Sequence, residues 1–168
     1  QNSANTIGAT PGANAEEDES PPSVPVLVYH GITSKPDGSR INITEEQFKE
    51  QMFALKNAGY ETVSLHDRVA FGKGEKDLPP RSIVIKFDDG LSDSFYKADP
   101  ILAAVGYTAS MYVITSYAAE ANNNSYYLSL DELKMMVGTG RWEIGSHSSH
   151  GHDEYAIDEH GEEANFYS

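Results

Sequence analysis

The chain has 168 residues, 39% of them hydrophobic and 23% charged, and a formal net charge of −14. That balance is globular and that length supports one ordinary core, while the acidic excess argues against nucleic acid or an anionic membrane surface as partner. With no cysteine there is neither a disulfide framework nor a thiolate metal site, and no apolar run approaches the ~20 residues of a membrane-spanning helix.

Residues 1–24 are rich in Ala, Asn, Ser, Glu, Gly and Pro, with Ile7 and Val24 as the only large aliphatics, and read as a flexible acidic linker. A linker of this kind fits an exported protein whose signal or lipid anchor has been removed. The apolar run VPVLVYH (24–30) predicts a first, buried parallel strand. Thr44 and Gln47 form a capping box that opens a helix carrying Phe48, Met52 and Leu55 on one face and stopping at Gly59. YETVSL (60–65) predicts a second strand, and a turn region over 72–81 leads to a third at 82–88. A helix from Tyr96 to Val105 follows, closed by Gly106, with Pro100 near its first turn or kinking it. A fourth strand covers 107–114, residues 116–127 form a polar loop, and a Ser129/Glu132 capping box opens a helix over 130–137. RWEIGSH (141–147) is the fifth strand. Strands alternating with helices imply a mostly parallel sheet, with the ligand site beyond the carboxyl ends of its strands.

The polar residues fall at those ends. His30 closes the first strand, the adjacent carboxylates Asp88 and Asp89 close the third, and His147 closes the fifth, with His150 and His152 just beyond. Taken singly, DDG is an ordinary turn, His30 a packing residue, and three histidines in six residues a solvated loop. Together they form an open nitrogen–oxygen site suited to zinc or a related divalent metal, with room for a reactive water.

FDDG (87–90), EIGSH running into HSSHGH (143–152), VLVYHGI (26–32) and FKEQMFALKNAGYETVSL (48–65) together resemble the polysaccharide deacetylase family, carbohydrate esterase family four, over roughly residues 25–152. The likeness is strongest to the branch that deacetylates poly-N-acetylglucosamine. It implies an α/β fold, here a partial, distorted (β/α) barrel, with residues 25–168 as the N-terminal part of the domain. It also implies hydrolytic removal of N-acetyl groups from an N-acetylglucosamine polymer, by a protein that is extracellular or associated with the cell envelope. By the same likeness Asp88 is the catalytic base, and Asp89 and His147 ligate a divalent metal, zinc with cobalt or nickel as substitutes. The commoner family spacing of the histidine pair lands on Gly151, whereas the poly-N-acetylglucosamine branch spaces them five apart, at His152. His152 is therefore the expected third ligand, with His150 as its substitute and His30 as a lining residue.

The family's later motifs, with the substrate-clamping arginine and the general-acid histidine, would lie beyond residue 152. The expectation is thus about five strands of a larger barrel, completed by a further segment or by association with a second copy. Two other functions share these residues: a non-catalytic metal- or glycan-binding relative, and an esterase acting on O-acetylated xylan.

Overall fold

The structure, a computed structural model, describes residues 23–121, 125–156 and 163–164. From the N-terminus, β1 (Val26–Tyr29) is followed by the short strands β2 (Ile32–Thr33) and β3 (Ile43–Thr44), then α1 (Glu45–Asn57), β4 (Glu61–Thr62) and α2 (Leu65–Gly72). Next come β5 (Ser82–Phe87), α3 (Ser92–Val105), β6 (Ala109–Ile114), α4 (Thr115–Glu120), α5 (Leu130–Gly138) and β7 (Trp142–Ser148). A two-residue antiparallel pair, β8 (Tyr155–Ala156) with β9 (Glu163–Ala164), ends the described chain.

The main sheet is parallel, in the order β1-β5-β6-β7, with β4 also on β5. Hydrogen bonds show how one strand takes three neighbours. The amides of Val84 and Asp88 donate toward β1, to the carbonyls of Pro25 and Tyr29, both at 2.9 Å. On the other edge, the carbonyls of Arg81 and Ile83 accept from Glu61 and Val63 at 2.8 and 3.0 Å. β6 meets β5 only at Lys86 and Phe87, so β4 and β6 occupy the same edge in succession. The sheet splays there around a cavity of about 280 Å³ whose lining includes Thr62, Thr108, Ser110 and Arg141. Among the described residues these five strands form part of a barrel and do not close one.

Alternation along β5 separates core from site. Phe87 points toward the helices and is fully buried, with Tyr29, Phe48 and Trp142 rings centred 5.4, 5.7 and 5.3 Å away. Lys86 and Asp88, one residue to either side, therefore face the opposite surface. α1 forms where its capping box predicts it: the Thr44 hydroxyl accepts from the Gln47 amide at 3.2 Å and Gln47 Oε1 accepts from the Thr44 amide at 2.9 Å. The Ser129/Glu132 box opens α5 in the same way.

Three expectations need correction. The second strand is only two residues long, because the Ser64 side chain accepts from the Asp67 amide at 2.9 Å and caps α2. The loop over 116–127 begins as helix α4, whose Ala118 is buried; Asn122 to Asn124 lie outside the described residues. The helix after β5 starts at Ser92, not Tyr96, and takes Pro100 inside it. Of the 1–24 segment only Ser23 and Val24 are described; Val24 is buried and its carbonyl accepts from Arg68 Nε at 2.9 Å.

α3 and β7 are tied by Asp99, which accepts from Arg141 Nε and Nη2 at 3.0 and 2.8 Å and from Trp142 Nε1 at 2.8 Å. Burial works against its ionised form, yet the hydrogen bonds from Arg141 and Trp142 and the guanidinium charge outweigh it and hold the carboxyl below the usual range. A folded-state pKa below the unfolded ~3.9 stabilises the fold above that pH and is lost as pH falls through the folded value. Asp99→Asn should therefore flatten the acid limb of the stability curve, and Asp99→Ala should cost about 2 kcal/mol at neutral pH, allowing for partial solvent screening. Denaturant midpoints measured from pH 7 down to pH 2 check both.

Candidate active site

The sheet is parallel, so everything that follows a strand gathers at one rim. After Phe87 the chain must leave β5 sharply. Asp89 takes φ 71° and Gly90 φ 78°. Asp tolerates the left-handed region better than most side chains but at a cost of about 1 kcal/mol or more, and such strain collects at functional sites. Glycine suits position 90, where a side chain would be strained at that φ and a Cβ would lie 3.0 Å from Val113 Cγ1 and 3.3 Å from its Cα. The turn is pinned from the far side: the Gly90 carbonyl accepts from the Leu128 amide at 2.9 Å, and the Ser92 amide donates to the Tyr126 carbonyl at 3.0 Å.

The second half of the site comes from β7. Val113 pairs with Ser146 but Ile114 with Ser148, so His147 is the extra residue of a bulge, a device that re-aims a side chain. Beyond it the chain curls back through hydrogen bonds from the Gly151 amide to Ser148 Oγ at 3.3 Å and from the Asp153 amide to the His150 carbonyl at 3.1 Å. α4 holds this loop. The Thr115 hydroxyl donates to the Ser148 carbonyl at 3.3 Å, Ser116 donates to the Ser149 carbonyl, and Tyr117 donates to Asp153 Oδ1 at 2.8 Å.

The outcome is a convergence of Asp89, His147 and His152, each offering one ligand atom within 4.8 Å of the others. His147 Nε2 and His152 Nε2 stand 3.6 and 3.5 Å from Asp89 Oδ1, and the imidazole centroids are 5.2 Å apart. Those separations are long for directed hydrogen bonds. They lie slightly above the roughly 3.3–3.4 Å between donors that sit about 2.0–2.1 Å from a shared tetrahedral ion. Asp89 Oδ1 is buried and accepts no hydrogen bond among the described residues. The donor set, two imidazoles and a carboxylate, fits a divalent ion of the zinc type.

The other singled-out residues fall elsewhere. His150 Nδ1 lies 2.9 Å from Asp153 Oδ2, which turns it to the loop's own scaffold. His30 is outside the group of three, and its carbonyl accepts from the Ser94 hydroxyl. Asp88, only 6% exposed, is also outside that group and pairs with Lys86, whose Nζ is 2.7 Å from Oδ1 and 3.0 Å from Oδ2. Lys86 carries no signal of its own in the sequence, where it reads as one residue of an apolar strand; its position two before Asp88 is the available cue. Tyr127 also borders the site. Burial pushes its phenol up, and neighbouring Tyr126 and Asp89 add to the rise.

A parallel α/β sheet with one carboxylate and two imidazoles converging at one rim defines an α/β domain with a candidate metal centre. The polysaccharide deacetylase family model matches residues 75–166, more than half of the chain, and the chain belongs to that family. A poly-beta-1,6-N-acetyl-D-glucosamine N-deacetylase of Staphylococcus aureus (strain MRSA252) is 30% identical over 128 residues, covering 76% of this chain and 43% of that protein. The chain thus spans about two fifths of the length of the curated relatives it matches. Among solved structures, a de-N-acetylase from Aggregatibacter actinomycetemcomitans superposes with a TM-score of 0.73 at 23% identity, over 84% of this chain and 61% of that one. IcaB from Ammonifex degensii gives 0.68 at 23% identity, over 85% and 59%. At those identities the likenesses establish the shared fold.

Removal of a metal ligand should cost more than the roughly 10–100-fold in affinity that loss of an outer-shell partner costs. Asp89→Ala, His147→Ala and His152→Ala should each do so in a zinc titration, whereas His150→Ala, which removes a loop contact and not one of the three converging groups, should cost no more than an outer-shell change. Tight zinc binding that survives Asp89→Ala combined with His147→Ala would show that the site is misassigned.

Proposed function

We propose that the chain is the N-terminal part of a metal-dependent deacetylase domain, residues 25–168, that removes N-acetyl groups from an N-acetylglucosamine polymer outside the cell. The observation that carries this reading is the pair of adjacent carboxylates with separate surroundings: Asp89 converges with two imidazoles, and Asp88 sits beside them on a lysine. Family membership supports the reaction class, and the printed activity of the staphylococcal relative supports the substrate class. An extracellular setting follows from a polymeric substrate; among the described residues no helix is long and apolar enough to cross a membrane.

In this reading Asp89, His147 and His152 hold a divalent ion, zinc or a cobalt or nickel substitute. Such an ion supplies Lewis-acid polarisation of an acyl carbonyl and lowers the pKa of water. Asp88 takes the proton of the attacking water as general base; as the acyl C–N bond breaks, that proton passes to the leaving nitrogen, giving acetate and a free amine. The buried, helix-backed strand β5 fixes Asp88 in place, so that the base need not be ordered at the moment of reaction. Tyr126, 56% exposed and edge-on to Tyr127 at 4.9 Å, offers an apolar face on which a sugar ring can rest.

Acetate release from β-1,6-linked N-acetylglucosamine oligomers tests the proposal. The zinc-loaded domain, completed with the segment that carries the family's later motifs, should release acetate, a chelator should stop it, and Asp88→Asn should lower the rate by about 10²–10⁴-fold, the usual share of a general base. Tight zinc binding without acetate release from this substrate or from chitooligosaccharides would favour a non-catalytic binding module. Release from acetylated xylan alone would favour the esterase.

A further inference from the structure

Two adjacent carboxylates beside a divalent ion compete for it, because both offer hard oxygen donors at nearly the same place. Something must keep Asp88 off the ion if it is to act on water. We infer that Lys86 does this: it engages the Asp88 carboxylate as a pair and so divides the two aspartates into a metal ligand and a free base. The inference rests on the reading of Asp89, His147 and His152 as metal ligands, and it concerns a residue that lies outside that group.

The geometry is specific. Lys86 and Asp88 are two residues apart on one strand end and so share a face. The ammonium reaches both carboxylate oxygens, at 2.7 and 3.0 Å, in a setting where the side chains are only 22% and 8% exposed. Its directed hydrogen bond goes to Oδ2, while Oδ1, itself buried, is close to the ammonium but not aligned with it. On its other side the ammonium lies 4.6 Å from the centroid of the Tyr112 ring, a cation–π contact. Tyr112 can occupy that place only because β7 carries Gly145 opposite it, where a Cβ would come within 2.5 Å of the ring. The lysine is thus held from two sides, and drawing Asp88 onto a metal would leave an ammonium partly buried without its counter-charge, which is costly.

Removing the lysine should therefore recruit Asp88 to the metal. In zinc titrations of the 168-residue chain, Lys86→Met should bind zinc about tenfold more tightly or better. X-ray absorption should show one more oxygen or nitrogen neighbour than in the parent. Adding Asp88→Asn to Lys86→Met should abolish both changes, and Lys86→Arg, which keeps the charge and a two-pronged donor, should behave like the parent. If Lys86→Met does not fold, Lys86→Gln serves in its place with the same expected direction. Unchanged coordination in the lysine variants, a gain in affinity without an added oxygen or nitrogen neighbour, as the change of net charge alone would give, or a gain that persists after Asp88→Asn would overturn the inference. Failure of the parent chain itself to bind zinc would overturn the metal-site reading instead.

Discussion

Like charges on successive residues repel, and the end of β5 is built around relieving that repulsion. The relief is geometric before it is electrostatic. The left-handed turn at Asp89 and Gly90 sends the two carboxylates into different surroundings, one toward imidazoles from β7 and one back along its own strand to Lys86. The turn in turn depends on Val113 packing against a residue with no side chain and on residues 90–92 bonding to residues 126–128. Core, turn and site are consequently one mechanical unit: Phe87 anchors the strand among aromatic rings, and the residues that follow it have little freedom left.

Much of this could be read from the residues alone, because the cues were local. Capping boxes at Thr44 and Ser129, the stop at Gly106 and the Val- and Ile-rich strands are each decided within a few residues. What escaped notice was decided at long range. α4 has no side-chain cap; its first residues bond to the last residue of β7 and the one after it, 33 residues away, and nothing within Thr115–Glu120 announces that partner. α2 escaped for the opposite reason, since its cap at Ser64 lay inside an alternating stretch that also reads as strand. Lys86 was hidden by its neighbours: a charged residue in a run of Ile and Val looks like a strand end until the carboxylate beside it is placed.

The choice among the three histidines shows the same division. Spacing counts alone left His150 and His152 as alternatives. The loop geometry distinguishes them through residues that spacing does not include. Asp153 accepts from Tyr117 and faces His150 Nδ1, so that His150 is spent on shaping the loop that brings His152 round. The bulge at His147 adds the other half of the convergence.

The strand order carries a thermodynamic corollary. β5 and β7 are not neighbours; β6 lies between them. An ion shared by Asp89 and His147 would therefore bridge two strands that exchange no backbone hydrogen bonds, and would close a covalent loop of about 60 residues containing α3, β6, α4 and α5. Such a bridge acts on the unfolded chain much as a disulfide does, by removing conformations that an open loop could explore. Ligand occupancy and the integrity of the whole central sheet then become linked quantities, so that folding and metal loading are two faces of one equilibrium.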